Sequence, residues 1–202
     1  FPPVSDPDGL PFPVTLDLEV GPESSRLVDP VSSLRDTLVI PPGPYVGHAT
    51  SHGSGLVAGA RVTTLSASSG FFGVYTPPAS WFDYGESMLV SGVRQDQRNR
   101  SNLVIVESPT MAPGRYRVEL FDGRTGTLAR AIEGVTPGAT HGMPARVQLD
   151  SVLWSTGVPF GWARVTRTSS FNTPFFVYAV VNDGASAGLG SGDGTYLPGI
   201  PR

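Results

Sequence analysis

Gly184-Ala185-Ser186-Ala187-Gly188 spells G-x-S-x-G and follows a strongly β-forming run, a setting in which a serine can serve as a nucleophile. That chemistry needs a helix after the serine, and an acid and a histidine later in the chain to activate it. Here Leu189-Gly190-Ser191-Gly192-Asp193-Gly194 follows, too rich in glycine for a helix, and no histidine lies beyond Ser186. The expectation is a glycine-rich turn with no nucleophile in it. His48 and His52 form the one close histidine pair, with His141 distant. An i, i+4 pair converges on a metal only from a helix, which the surrounding prolines and glycines disfavour, and zinc would still need a third ligand. Asp6-Pro7-Asp8-Gly9 and the 183–194 loop are acidic and glycine-bearing, but neither has the spacing of an EF-hand or a calcium-binding nonapeptide. Asx-turns account for them. Asn99-Arg100-Ser101 is an N-glycosylation triplet, short enough to arise by chance. No catalytic residue, metal or cofactor is expected.

Trp81, Phe82 and Tyr84 carry the best binding signal, because aromatic faces on a loop can stack on sugars or anchor a protein partner. The competing role is structural: the same rings would seal a core or a contact between domains.

The elements that would position these residues are organised by a repeat. Ala60-Arg61-Val62-Thr63 returns as Ala163-Arg164-Val165-Thr166, and Ser66, Phe72, Val74 and Tyr75 return as Ser169, Phe175, Val177 and Tyr178. All eight pairs share one offset, which is the length of a small domain rather than of a solenoid turn. Val14 and Leu16 also align with Val118 and Leu120. The repeat predicts two domains whose strands superpose and whose loops differ.

Composition agrees with an all-β chain. Gly 25 and Pro 20 punctuate short apolar runs, while 39% hydrophobic residues suffice for a core. All 14 basic residues are arginine, which fits a GC-rich genome. They are thinly spread under a net charge of −3, which argues against a nucleic-acid surface. Without cysteine there is neither disulfide nor thiolate. No apolar run reaches the ~18 residues that span a bilayer. The chain begins at Phe1, which suggests a processed product and a removed secretory signal.

Prolines at 2, 3, 7, 11 and 13 make 1–13 an extended arm. Residues 14–20 alternate as a half-buried strand. Asp29-Pro30 starts a short helix through Val31, Leu34 and Leu38. Strands are predicted over 60–64 and 71–75, and the polar stretch 94–100 is the natural linker. The second unit shows Asn102-Leu103-Val104-Ile105-Val106 as a buried strand and Tyr116, Val118 and Leu120 on one strand face. A hairpin turn follows at Asp122-Gly123-Arg124-Thr125-Gly126. Leu149 and Leu153 mark a second short helix, and 175–181 is a strong strand.

The runs Arg100-Ser101-Asn102-Leu103-Val104-Ile105-Val106, Val118-Glu119-Leu120-Phe121-Asp122-Gly123 and Tyr178-Ala179-Val180-Val181-Asn182-Asp183-Gly184, in that order, resemble a class of β-sandwich modules. Such modules occur, often in tandem, near the C-termini of large secreted bacterial proteins. The likeness implies a surface or matrix role and carries no activity with it.

The resulting expectation is two tandem antiparallel β-sandwiches, each with one short helix: arm 1–13, first sandwich 14–93, linker 94–100 and second sandwich 101–202. Barrels are the alternative. The expected function is a non-enzymatic extracellular structural or adhesive subunit, self-assembling into fibres by strand exchange between copies through the 1–13 arm or the 196–202 tail. Second comes a carbohydrate-binding module that holds extracellular polysaccharide on Trp81, Phe82 and Tyr84.

Overall fold

A computed structural model describes residues 60–65, 71–76, 86–107, 114–140, 143–170, 173–184 and 194–202. The chain divides into two compact units, 1–49 with 140–143 and 50–139 with 144–202. Nearly all described residues belong to the second. They form an all-β structure of two five-stranded antiparallel sheets and a separate two-stranded pair.

The separate pair is β1 (Ala60–Leu65) with β2 (Phe71–Thr76). One five-stranded sheet, the tail-β3 sheet, contains β3 (Ser87–Arg94), β5 (Tyr116–Asp122), β6 (Leu128–Val135), β9 (Phe160–Arg167) and β12 (Ile200–Pro201) in the order β12-β3-β9-β5-β6. The other contains β4 (Asn99–Glu107), β7 (Gly138–Thr140), β8 (Met143–Leu149), β10 (Phe175–Asp183) and β11 (Gly194–Pro198) in the order β11-β10-β4-β8-β7.

Alternation explains the core. Tyr116, Val118 and Leu120 of β5, Ala163 and Val165 of β9, Leu103 and Ile105 of β4, and Phe175, Val177 and Ala179 of β10 all point inward and are buried. Residues of both sheets belong to one hydrophobic cluster. In β3 the period breaks: Met88 and Val90 are buried, then Val93 rather than residue 92. A bulge between Ser91 and Val93 on the β9 side resets the register, and Gly92 supplies the φ of 84° that it needs.

The chain itself links these two sheets at both margins. From β6, the edge of one sheet, it passes through Thr136 and Pro137 to β7, the edge of the other. At the opposite margin it passes from β11 through Gly199 to β12. Edge strands left open invite pairing with other chains. The 194–201 tail therefore spends its backbone hydrogen bonds within its own chain, on β10 and on β3.

Three expectations meet different geometry. The 94–100 stretch, read as a linker, is a tight turn from β3 into β4, capped by Asp96, whose Oδ1 accepts from the N–H groups of Arg98 and Asn99. The second short helix is absent: 150–155 is a run of turns, because Ser151 and Ser155 adopt φ values of 45° and 67°, which an α-helix excludes. No helix occurs among the described residues. The repeated segments also pair differently. β1 pairs directly with β2, whereas β9 lies between β3 and β5 and β10 lies between β11 and β4. The 1–13 arm, the strand over 14–20 and the first helix lie outside the described residues.

Candidate functional site

Four of the connections gather at one end of the five-stranded sheets. The register places the end of β10 beside the start of β4 through Asp183↔Asn99, and the end of β5 beside the start of β9 through Asp122↔Gly161. Arg94 sits opposite Phe160, and Leu149 opposite Leu103. The β3–β4 turn, the β5–β6 hairpin, the β8–β9 crossing and Gly184 therefore share this end.

The β8–β9 crossing is held unusually firmly for a loop. Val152 and Leu153 are inserted into the core. The Ser151 N–H donates to Asn102 Oδ1 at 3.0 Å, and the Val152 N–H to the Ser101 carbonyl at 3.0 Å. The Trp154 N–H donates to the Ser151 carbonyl at 2.7 Å, and the Thr156 hydroxyl to the Leu153 carbonyl at 2.7 Å. This anchored turn leaves the Trp154 indole 61% exposed. Phe160, at the start of β9, is 39% exposed, and the Arg124 guanidinium lies 5.6 Å from its ring centroid.

A second polar grouping lies on the outer face of the sheet that holds β5 and β9. Glu119 is only 7% exposed, and its two oxygens are both engaged: Arg164 Nε donates to Oε2 at 2.7 Å, and Arg117 Nη2 lies 3.2 Å from Oε1. The Arg164 hydrogen bond holds the Glu119 carboxyl below its ordinary range, and Glu119 in turn raises Arg164. Glu133 continues the ladder from β6, 3.2 Å from Arg117 Nε. Beside it the Phe121 and Trp162 rings stack at 3.9 Å, nearly parallel at 6°. An open depression of about 500 Å³ adjoins Glu119, bordered by Glu86, Thr166 and Arg202. A carboxylate already saturated by two guanidiniums is a poor proton acceptor, so this face serves as a cross-strand tie.

The third grouping is internal. Glu107, 1% exposed, accepts at Oε1 from the Tyr116 hydroxyl and the Gly114 N–H, both at 2.6 Å. Burial, and then the bond to Glu107, push the Tyr116 phenol far above its ordinary value, so it stays a donor. Arg167 donates to the Thr173 carbonyl at 2.6 Å and stands over the Phe175 ring. The grouping fixes the strand end at 107 to the segment entering β5, and the strand end at 167 to the segment entering β10.

Trp81, Phe82, Tyr84, His48, His52, His141 and Ser186 lie outside the described residues, as does most of the 183–194 loop. Gly184 is described, and it is pinned to the β3–β4 turn by an Arg100 Nη1 bond to its carbonyl at 2.8 Å. In the 99–101 triplet, the Asn99 side-chain nitrogen already donates to both Asp96 carboxylate oxygens, at 3.1 and 3.2 Å. Among the described residues no group of three metal-ligating side chains converges.

The exposed aromatics Trp154 and Phe160 were not singled out from sequence. The signal was present: Ser151-Val152-Leu153-Trp154-Ser155 has two aliphatics followed by an indole, in a run bounded by serines. Comparison with known protein families, curated proteins and solved structures finds no match.

Proposed function

We propose that this chain is a non-enzymatic structural or adhesive subunit that works outside the cell. One observation carries the reading most: the chain crosses from sheet to sheet at both margins, and the grouped charges of the described region tie neighbouring strands through Arg117–Glu133 and Arg164–Glu119. Such an economy suits a durable module better than a reaction centre. The resemblance to tandem modules of secreted bacterial proteins supports the extracellular setting. Two sheets sharing one cluster of buried residues are read here as a β-sandwich. The sequence repeat is read as the trace of a duplication whose copies have since diverged in strand pairing.

Self-assembly into fibres remains part of the proposal, with a narrower route. The tail is occupied in its own chain, so donation by the tail requires exchange, while the 1–13 arm is the more direct donor. Light scattering across a concentration series tests this on the intact chain and on a variant lacking residues 1–13. Association that rises with concentration and weakens in the deletion is expected. A strictly monomeric intact chain would remove the fibre reading.

The second reading is a carbohydrate-binding module. Its original candidates are Trp81, Phe82 and Tyr84, and the presentation of Trp154 on an anchored turn is a separate observation in its favour.

A further inference from the structure

The outer face of the sheet that holds β5 and β9 changes character along its length. Alternation directs Phe160, Trp162 and Arg164 outward from β9, and Phe121 and Glu119 outward from β5. Around Arg164 and Glu119 the face is a tie of guanidiniums and a carboxylate. Towards the end that gathers the turns it becomes apolar. Leu128 of β6 stands opposite Phe121, and Phe121 opposite Trp162, so three strands present one row. Phe160 lies beyond that row on β9, 39% exposed, and Leu128 is 49% exposed. Two cations rim the patch. Arg94 stands opposite Phe160 on β3, and Arg124 lies 5.6 Å from the Phe160 ring centroid. Both are exposed, and neither forms an ion pair among the described residues. Asp96 and Asp122, the acids of the two adjoining turns, are spent on backbone N–H groups of those turns. Apolar surface left in water beside unpaired cations suits a segment that carries both apolar side chains and carboxylates.

We propose that this patch receives residues 1–13 of a second copy of the chain. The sequence of that segment is its complement: Phe1, Leu10 and Phe12 are apolar, Asp6 and Asp8 are acidic, and no basic residue occurs before Arg26. Prolines at 2, 3, 7, 11 and 13 withhold N–H groups from any ladder. Such a segment packs better across aromatic rings, as extended proline-rich peptides do, than beside a strand. β6, an edge among the described strands, is a poor acceptor in any case, because two register shifts interrupt it against β5. The lengths agree as well. Arg94 on β3 and Leu128 on β6 are separated by three strand spacings, about 14 Å. From Asp8 to Phe12 an extended proline-rich chain advances about 12 Å. Asp8 can thus meet Arg94 while Phe12 covers Leu128, with Leu10 over the stacked Phe121 and Trp162 rings between them. The arm of one copy on the patch of the next is a heterologous contact, a link that can repeat head to tail.

The inference rests on the self-assembly reading, replaces a shared ladder by a docked arm, and can fail without taking that reading with it. Light scattering across a concentration series is run on the intact chain, on a receiver variant with Arg94→Glu and Arg124→Glu, on an arm variant with Asp6→Arg and Asp8→Arg, and on the combination of all four. The intact chain is expected to associate, and less so as salt rises. The receiver and arm variants should each lose about tenfold or more in association constant. The combination should regain most of that loss, which a receiver that merely misfolds cannot do. Phe160→Ala, which changes no charge, should weaken association while its salt dependence stays. Association of the receiver variant equal to that of the intact chain overturns the inference and leaves self-assembly to another contact. Losses in both variants with no regain in the combination overturn it too, because the arm and the patch then do not meet. A strictly monomeric intact chain removes this inference together with the fibre reading.

Discussion

The Gly199 N–H donates to the Val177 carbonyl at 2.8 Å, and a Cβ on Gly199 would overlap that same oxygen. This contact sets the point at which the tail leaves one sheet for the other. Met88 Sδ lies 3.3 Å from the same hypothetical Cβ, so the residue is hemmed in from both sheets. Gly199→Ala is expected to destabilise the protein by about 1–3 kcal/mol, the usual cost of forcing a side chain into a filled site. Chemical denaturation reads the loss. Hydrogen exchange should locate it in β11 and β12 before it reaches β4 or β9.

Leu153 and Trp154 are adjacent in sequence and opposite in consequence. Leu153→Ala empties a fully buried site and should cost about 2–5 kcal/mol. Trp154→Ala removes a side chain that faces water and should change stability by no more than about 0.5 kcal/mol. Parallel thermal melts of the two variants check the contrast. A large loss in Trp154→Ala would mean that the indole supports the fold.

Acid sensitivity should pass through Glu119. Its carboxyl is held below the ordinary value of 4.5 in the folded state, so it binds a proton less readily folded than unfolded. The stabilisation is complete above that ordinary value and is lost as pH falls through the lower, folded one. Glu119→Gln should therefore lower the melting temperature at neutral pH and narrow the gap between neutral and acidic melts. An acid limb as steep as that of the intact chain would show that other carboxylates govern it.

At the alkaline end the signs reverse. Burial raises the Tyr116 and Tyr178 phenols, and raises Tyr196 to about 12, against an ordinary 10.0. A raised folded value stabilises the protein fully below the ordinary value, and the contribution is lost as pH rises through the folded one. A spectrophotometric titration should therefore show these three phenolates appearing late, Tyr116 only with unfolding. Tyr116→Phe should remove the last step and, by taking a donor from buried Glu107, cost about 1–3 kcal/mol.

Local patterns were readable in the sequence, and long-range pairings were not. The alternation at Tyr116, Val118 and Leu120, the hairpin after Asp122 and the apolar run from Leu103 to Val106 predict strands and a turn where they occur. β3 was harder, because the bulge at Gly92 moves its third buried residue from an even to an odd position and breaks the period. Leu149 and Leu153 have helical spacing by coincidence. The first closes β8, and the second plugs a turn whose backbone no propensity scale foresees. The strong repeat predicts equivalent partners for 60–75 and 163–178, yet partner choice depends on distant strands that local identity does not encode. Of the aromatics, composition pointed to the densest cluster, at Trp81, Phe82 and Tyr84. Exposure of Trp154 depends on where Val152 and Leu153 insert, which only the folded chain shows.

The closing strand β12 runs antiparallel to β3, and the Arg202 N–H reaches the Ser87 carbonyl at 3.0 Å. Entry to β3 and exit from β12 thus lie side by side. Tension applied between Ser87 and Arg202 pulls those neighbours apart crosswise, so the load falls on one hydrogen bond at a time instead of on the whole row in shear. The tail peels first, over Pro201 and Ile200 to the Gly199 corner, and only then does β11 begin to strip from β10. Such a geometry would yield under load as a compliant fuse, giving up length in small steps before the core of β4, β5, β9 and β10 is reached.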